Sequence, residues 1–481
     1  MCDKLKSAHG NFFASLGQLM GARALLVVLQ LLSLPLLSRL LSIEDFAIVG
    51  LGMAVILFAN TFSDAGLGRS LVRVQHYNPT EWDTVFWFLT ALGLGLAGLV
   101  AIVAPFYAGA MDQPALLPVV IVLASVPFMQ ALTAVHQAAI ERDYRFDVMS
   151  GVIGFAGLAG VCVAISLAML GFGYWALVLQ QVVLALVRLV GLLWLSPVRP
   201  QFRFQAPLLR PHLKFGVNTL MFSGVLTAQA QIPVLAFNQV FGTVAVSLWT
   251  MTERIFRFPQ QALLGPLSQV TMVSMARQWR DGAGQEQVGT SYRAAIRLLM
   301  TLTFPGLVVL ALNGRPIFVW LLSAPWGDVA LIFALALPSL MIEMVTSVGA
   351  RVFMVADRTD LRLRMAVERF LIGVPLFLAA LPFGLTTAIL VRSLFMVAYL
   401  PRYFSYLNRC VPLRTLDVMG PALVPLCIGT VVGGGCWWLG DLHPLVLIAC
   451  GVLASGCAAA ISYRALLADI GWLRQSALVT A

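Results

Sequence analysis

Residues 85–108 read VFWFLTALGLGLAGLVAIVAPFYA and contain no charged side chain. A helix needs about 20 predominantly apolar residues to cross the hydrocarbon core of a bilayer, so this stretch alone predicts a membrane-spanning helix. The whole chain of 481 residues has the same character, because 60% of them are hydrophobic and only 11% are charged. The mean hydropathy of the chain is +0.90. This composition excludes a soluble globular domain.

Apolar stretches of sufficient length recur along the chain and are joined by short connections. We predict about fourteen of them as spanning helices. The first six lie at 15–41, 46–63, 85–108, 115–140, 148–170 and 172–195, the next six at 215–238, 243–276, 294–322, 329–350, 366–383 and 385–406, and the last two at 416–439 and 442–463. The sequence therefore predicts an all-α polytopic membrane protein.

Basic residues fall in every second connection between these spans. Lys4 and Lys6 precede the first span, and Arg142 and Arg145 follow the fourth. The connection at 109–114 holds neither Lys nor Arg. Because Lys and Arg accumulate in cytoplasmic loops, we predict that both termini are cytoplasmic. The same rule accounts for the formal charge of +10 without a nucleic-acid partner.

A weak internal repeat relates two halves of the chain. The run RLLS at 39–42 is echoed by QVFG at 239–242, 200 residues later. We predict an N-terminal lobe of six helices at 1–197 and a second six-helix lobe in the same orientation at 198–408. Two further helices and a cytoplasmic tail follow at 409–481. Parallel six-helix repeats are typical of alternating-access transporters, which bind their ligand between the halves.

Arginines inside predicted spans indicate a functional cavity, because a charge at the bilayer centre costs about 2.5 to 3.5 kcal/mol. Arg23 lies in the first span, and Arg254 and Arg257 lie in the eighth. Glu253 precedes Arg257 by four residues, the favoured orientation of a helical ion pair, which leaves Arg254 for a ligand. We predict that these arginines line a cavity for an anionic ligand. The alternative is that they form ion pairs between helices.

Further charged residues extend the predicted site. Arg188 and Arg392 occupy corresponding late positions in their halves and are weaker candidates for the same cavity. Asp64, Glu253 and Glu343 are candidates for carrying a proton or a sodium ion during transport. Asp64 has an alternative interpretation as part of a helix-end turn. No cofactor and no metal site is predicted, because the seven cysteines lack a CxxC or Cys/His spacing.

The seventh span carries more polar side chains than a lipid-facing helix would. Asn218 and Gln229 are eleven residues apart, which is about three helical turns and places them on one face. We predict that these two residues and Gln231 bind hydroxyl groups of the ligand. Hydrogen bonding between helices is the alternative.

Four stretches carry a resemblance to a known family. They are SRLLSIEDF at 38–46, DAGLGRSLVR at 64–73, ERDYRF at 141–146 and FPQQALLGPLSQV at 258–270. Through these stretches, and over essentially the whole chain, the sequence resembles the polysaccharide transporters of the MOP superfamily, the Wzx-type flippases for lipid-linked oligosaccharides. None of the four stretches is catalytic, so they indicate the scaffold better than the substrate.

The resemblance implies a bacterial inner-membrane exporter rather than an enzyme. Such a protein accepts a polyprenyl-diphosphate-linked repeat unit in a cationic cavity and releases it outside for exopolysaccharide, O-antigen or capsule synthesis. The partners implied are this lipid-linked oligosaccharide, membrane lipids, and a polymerase with other assembly proteins. Relatives often have an acidic residue in the seventh span where Pro233 stands here, so a coupling role for that acid does not carry over.

Three other functions remain open at this point. A small-molecule antiporter and a peptidoglycan-precursor flippase would share the fold. A membrane glycan polymerase belongs to a different class, and the short outside connections argue against it.

Overall fold

The computed structural model of the protein describes residue 29 and residues 32–63, 66–73, 78–143, 145–280, 285–440 and 442–468. Within these residues the chain is helical and contains no β-strand. The predicted all-α membrane fold is confirmed. Contacts between residues divide the chain into two compact units, Met1–Ser247 and Leu248–Ala481, called unit 1 and unit 2 below. The lobe boundaries predicted at 197 and 408 rest on the sequence repeat and stay a prediction.

Unit 1 begins, in its described part, with a helical stretch at 32–40. Its further helices are α1 (Ile43–Ser63), α2 (Leu67–Arg73), α3 (Pro79–Ala110), α4 (Leu116–Leu123), α5 (Ser125–Arg142), α6 (Phe146–Met169), α7 (Trp175–Leu195), α8 (Ala206–Phe241) and the first residues of α9 (Thr243–Pro259). The helices α4 and α5 together make one candidate span.

Unit 2 contains the rest of α9 and, after it, helices of varied length. These are a π-helical turn (Gln260–Leu264), α10 (Gly265–Arg280), α11 (Gln285–Leu312), α12 (Gly314–Leu322), α13 (Val329–Val355), α14 (Thr359–Ala380), α15 (Leu385–Leu407), α16 (Thr415–Met419), α17 (Leu423–Leu439) and α18 (Pro444–Ile461). Short 3₁₀ turns at Ala324–Trp326, Leu381–Phe383 and Gly420–Ala422 lie between some of them.

Twelve helices of the described residues are long and apolar enough to cross a membrane. They coincide with the predicted spans two to seven and nine to fourteen. The first predicted span, 15–41, lies largely outside the described residues. The eighth, predicted as one helix over 243–276, is instead two helices separated by the π-helical turn Gln260–Leu264, which directly follows Pro259. Single π-helical turns occur frequently at functional sites.

Ser42 and Asp45 fix the start of α1. The Asp45 carboxylate accepts hydrogen bonds from the Ser42 N–H and hydroxyl at 2.8 Å each, and the Ser42 Oγ accepts one from the Asp45 N–H at 3.1 Å. This reciprocal pattern is a capping box, so this part of the stretch that resembles the flippases has a structural role. Gly66, with a φ of 69°, makes the turn between α1 and α2, where glycine is favoured. Asp64, just before it, lies outside the described residues.

A buried group of three polar side chains ties α2, α3 and α8 together in unit 1. His212 of α8 is only 3% exposed, and its Nε2 lies 2.7 Å from the Glu81 carboxylate of α3. Its Nδ1 lies 2.6 Å from the Ser70 hydroxyl of α2. Because buried polar groups need hydrogen-bond partners, His212 depends on both neighbours, whereas Ser70 also donates to the Leu67 carbonyl oxygen at 2.7 Å.

Glycines bring helices of unit 2 into close contact. A Cβ atom at Gly429 of α17 would lie 2.9 Å from the Cα of Pro305 in α11. A Cβ atom at Gly306, the next residue of α11, would lie 3.4 Å from the carbonyl oxygen of Gly451 in α18. Small residues of this kind allow membrane helices to pack backbone against backbone. The helices α17 and α18 are therefore part of the core of unit 2.

Candidate functional site

Six charged side chains of unit 2 form one group, called the charged cluster below. The members are Glu253, Arg254, Arg257, Glu343, Arg369 and Arg392, and each lies within electrostatic reach of at least one other member. They come from four helices, α9, α13, α14 and α15. The charged cluster contains four guanidinium groups and two carboxylates, so it has an excess of positive charge.

Glu253 interacts with members of the charged cluster on its own helix and on others. One of its carboxylate oxygens lies 3.8 Å from a terminal guanidinium nitrogen of Arg257, so the ion pair predicted from their spacing is present. Glu253 also lies within electrostatic reach of Arg392 and Glu343. The Arg257 side chain is 55% exposed and that of Glu253 is 20% exposed. This ion pair therefore lies at the surface of unit 2.

An aromatic ring holds Arg392 in position. The Cζ atom of Arg392 lies 5.1 Å from the centroid of the Trp249 ring, and Trp249 is only 1% exposed. Trp249 is one helical turn before Glu253 on α9, and its side chain lies beside that carboxylate. A cation above an indole face is attracted by the ring. Trp249 thus fixes Arg392 close to Glu253.

Arg254 and Glu343 differ in their surroundings. Arg254 is partly buried, lies close to Arg257, and also interacts with other parts of the chain. Its availability to a ligand stays a prediction. Glu343 is exposed near the middle of α13, whereas its sequence neighbours Ile342 and Met344 are buried. The carboxylate therefore points out of unit 2 while its neighbours point into it.

Arg369 is the member of the charged cluster that was not among the predicted site residues. It falls inside the predicted eleventh span, 366–383, and α14, which begins at Thr359, places it near its middle. There it lies within electrostatic reach of Glu343 and Arg392, and also of Tyr399 and Tyr403. Its position inside a predicted span was the signal available in the sequence.

Unit 1 contains a separate cavity of about 480 Å³ between α1, α5 and α8, called the polar pocket below. Its polar lining consists of Asn60, Thr61, Gln130, Ser223, Thr227 and Gln231. On α8, Ser223, Thr227 and Gln231 follow one another at steps of four residues, so they lie on one helical face. Gln231 was predicted as a ligand-binding residue, and the structure places it in this lining with an exposure of 6%.

Arg188, another predicted site residue, lies in a polar chain inside unit 1. Its guanidinium donates a hydrogen bond to the Gln137 side-chain oxygen at 2.6 Å. Gln137 in turn donates to the Glu141 carboxylate at 2.7 Å. Arg188 therefore connects α7 to α5, and it is not among the described residues that line the polar pocket. This arrangement favours the interhelical alternative for Arg188.

The remaining predicted residues are not brought to either site by the described part of the chain. Gln229 interacts with other parts of the chain and does not belong to the described lining of the polar pocket. Arg23, Asp64 and the side chain of Asn218 lie outside the described residues.

Metal ligands are not clustered in the part of the chain that the structure describes, where no group of three or more His, Cys, Asp and Glu side chains could hold an ion. Cys410 lies between α15 and α16 and is 2% exposed. Burial raises the pKa of its thiol. Because the thiolate is the form that binds metals, Cys410 is a poor ligand.

The fold defines the chain as a multi-pass α-helical membrane protein. It is similar to the lipid II flippase MurJ in an inward closed conformation, with a TM-score of 0.75, 13% identity, and coverage of 93% of this chain and 99% of that one. An inward-facing multidrug resistance MATE family transporter of the MOP superfamily has a TM-score of 0.55 at 17% identity, covering 88% and 96%. At these identities the likeness shows the fold.

The chain belongs to the polysaccharide biosynthesis protein family, whose pattern matches residues 36–331. It is 27% identical over 305 residues to the succinoglycan biosynthesis transport protein ExoT of Rhizobium meliloti (strain 1021), which covers 62% of this chain and 60% of ExoT. The chain thus aligns with less than two thirds of the length of ExoT. The lipopolysaccharide biosynthesis protein WzxC of Escherichia coli (strain K12) is 19% identical over 364 residues, covering 74% and 72%. The predicted resemblance to MOP-superfamily polysaccharide transporters is confirmed.

Proposed function

We propose that the protein is a flippase for a polyprenyl-diphosphate-linked oligosaccharide repeat unit. It moves this cargo from the cytoplasmic to the outer leaflet of the bacterial inner membrane. The observation that carries the proposal is the charged cluster, which contains four arginines and two glutamates on four helices, three of them of membrane-spanning length.

The physical reason is the cost of charge at membrane depth. Glu343 and Arg369 lie near the middle of α13 and α14, where a charge costs about 2.5 to 3.5 kcal/mol unless it is compensated. The charged cluster contains more guanidinium groups than carboxylates, so its net charge is positive. A diphosphate carries charge of the opposite sign, and guanidinium groups bind phosphate oxygens through paired hydrogen bonds.

The family and its named members support the same cargo. ExoT is named a succinoglycan biosynthesis transport protein, WzxC a lipopolysaccharide biosynthesis protein, and the structurally similar MurJ a lipid II flippase. The names of ExoT and MurJ describe transport, and the name of WzxC describes biosynthesis of a polysaccharide-containing lipid. The protein would act as a transporter beside a polymerase and other assembly proteins.

The proposal includes an orientation and a mode of action. Both termini face the cytoplasm in this proposal, because every second connection contains basic residues, such as Arg142 and Arg145 after the fourth span. The mode of action is alternating access by the two predicted lobes, 1–197 and 198–408, and the helices in 409–481 pack with the second lobe. A proton or sodium ion drives the cycle, with Glu343, Glu253 and Asp64 as the candidates for carrying it.

The test is a flipping assay with the full chain in liposomes. A fluorescent polyprenyl-diphosphate disaccharide is incorporated in both leaflets, and a membrane-impermeant reductant bleaches only the outer leaflet. Wild-type protein should make the protected half of the fluorescence accessible, and Arg254→Gln should slow this by at least about tenfold, the equivalent of one charge-assisted contact. Arg358→Gln is the matched control, because Arg358 is 45% exposed and pairs with Asp360.

Three results would contradict the proposal. Liposomes with wild-type protein that behave like empty liposomes would exclude flipping of this cargo. Acceleration of lipid II alone would assign the protein to peptidoglycan-precursor transport. Acceleration of organic cations alone would assign it to small-molecule antiport.

A further inference from the structure

The polar pocket of unit 1 differs chemically from the charged cluster of unit 2. Its described lining residues carry amides and hydroxyls and no charged side chain. The apolar side chains of Leu57, Leu220 and Leu226 complete the lining. Its volume of about 480 Å³ falls within the range of about 300 to 1,000 Å³ that is usual for small-molecule sites.

One lining atom indicates that the pocket is built for a ligand. The side-chain oxygen of Asn60 is buried and has no hydrogen-bond partner in the structure. A buried polar atom without a partner costs about 1 to 3 kcal/mol, so native proteins leave few of them. A hydroxyl group supplied from outside the chain would satisfy this oxygen.

Hydrogen bonding next to Asn60 holds the wall of the pocket in place. The hydroxyl oxygens of Thr61 in α1 and Thr227 in α8 lie 2.8 Å apart, and Thr61 also donates to the Leu57 carbonyl oxygen at 2.8 Å. These contacts join the two helices at the pocket wall. Gln231 lies one turn beyond Thr227 on the same face of α8 and is nearly buried at 6% exposure.

The chemistry of the lining selects one class of ligand. Amides and hydroxyls donate and accept hydrogen bonds, as sugar hydroxyls do. A charged group would require a counter-charge on leaving water, and the described lining offers none. A purely apolar ligand would leave the Asn60 oxygen unpaired. We infer that the polar pocket is a binding site for an uncharged sugar residue of the cargo, distinct from the charged cluster that would bind its diphosphate.

This inference rests on the proposed function, and binding measurements separate the two. The purified full chain in nanodiscs is titrated with polyprenyl diphosphate, with polyprenyl-diphosphate-linked glucose, and with polyprenyl-diphosphate-linked glucuronic acid. Wild-type protein should bind the glucose lipid about tenfold more tightly than the bare diphosphate, which corresponds to one or two net hydrogen bonds. The glucuronic acid lipid should bind more weakly than the glucose lipid.

Gln231→Leu should abolish the preference for the glucose lipid and leave the affinity for the bare diphosphate unchanged. Gln239→Leu is the matched control, because Gln239 lies on the same helix, is exposed, and donates to the Ala110 carbonyl oxygen outside the pocket. Arg254→Gln should weaken the binding of all three lipids equally. Asn60→Leu provides a second test of the pocket should Gln231→Leu not fold.

The outcomes distinguish the two proposals. A wild-type protein that binds all three lipids equally, or pocket variants that keep the preference for glucose, would overturn the sugar site and leave the flippase proposal intact. A wild-type protein that binds none of the three lipids would contradict the proposed function itself. Tighter binding of the glucuronic acid lipid would overturn the assignment to uncharged sugars.

Discussion

The guanidinium carbon of Arg392 on α15 lies 5.1 Å from the ring centroid of Trp249 on α9. The two residues are far apart in the sequence, and the contact brings a cation to the side of α9 that carries Glu253. A desolvated cation–π contact contributes about 0.5 to 2 kcal/mol. This contact therefore contributes to the fold of unit 2 as well as to the arrangement of the charged cluster.

A double-mutant cycle with Trp249→Leu and Arg392→Met should measure this contact. We expect a coupling energy of about 0.5 to 2 kcal/mol in the free energy of unfolding, determined by denaturant titration in mild detergent. A cycle of Arg392→Met with Trp437→Leu serves as the control, because Trp437 is 72% exposed and should show no coupling. Equal coupling in both cycles would argue against a specific contact.

Arg369→Gln should impair transport as strongly as Arg254→Gln, by at least about tenfold in the liposome flipping assay. The reason is that Arg369 belongs to the positive excess of the charged cluster, near the middle of α14. The control Arg358→Gln lies at the residue before that helix and should retain the wild-type rate. A normal rate for Arg369→Gln with a normal fold would remove this arginine from the cargo site.

Glu343→Gln should uncouple transport from the ion gradient. Glu343 is exposed near the middle of α13 and lies within electrostatic reach of Arg369 and Glu253. It is therefore placed to bind and release a cation. Wild-type liposomes should accumulate cargo in one leaflet only under an imposed proton or sodium gradient, whereas the variant should equilibrate it with or without the gradient. Gradient-driven accumulation by Glu343→Gln would assign coupling to another residue.

His212→Leu should destabilise unit 1 without changing a residue of the charged cluster or of the polar pocket. It removes the shared partner of the Glu81 carboxylate, which is 15% exposed, and of the Ser70 hydroxyl, which keeps its bond to the Leu67 carbonyl oxygen. The expected cost is about 1 to 3 kcal/mol. Thermal unfolding in detergent should show a lower midpoint. The triple change Ser70→Ala, Glu81→Leu and His212→Leu should recover part of this loss, because no polar partner is then left unpaired. No recovery would indicate that packing rather than hydrogen bonding sets the loss.

Gly349→Ala should destabilise unit 2 by about 1 to 3 kcal/mol, the usual effect of overpacking. A methyl group at Gly349 on α13 would overlap the hydroxyl group of Tyr403 on α15, which donates to the Thr346 carbonyl oxygen at 3.3 Å. Gly435→Ala on α17 is the control, because a Cβ atom there meets no atom within 4 Å. Similar unfolding midpoints for both variants would show that Tyr403 moves aside without loss.

The sequence predicts the spans well because hydrophobic length is a local property. Helices of spanning length coincide with twelve predicted spans, and the Glu253–Arg257 pair follows from spacing within one turn. Contacts between helices cannot be predicted in this way. Neither the position of Arg392 over Trp249 nor the hydrogen bond from Arg188 to Gln137 has a local signal, because each joins distant segments.

Hydropathy also misplaces the ends of helices that carry charge. The predicted eleventh span begins at 366, yet α14 begins at Thr359, because its first turns hold several arginines and look like a connection. The polar pocket was predicted only in part, since Gln231 was among the predicted ligand-binding residues while Asn60 and Gln130 come from other helices.

The close approach of α11 to α17 and α18 limits how unit 2 can change shape. At Gly429 and Gly306 the main chains meet with no side chain between them, so sliding of these helices would drive side chains into backbone and open voids elsewhere. The three helices therefore have to move together as one rigid body in any conformational cycle. Bending is instead expected at the π-helical turn Gln260–Leu264, between the helix that carries Arg254 and the next one, because helix kinks occur at such turns.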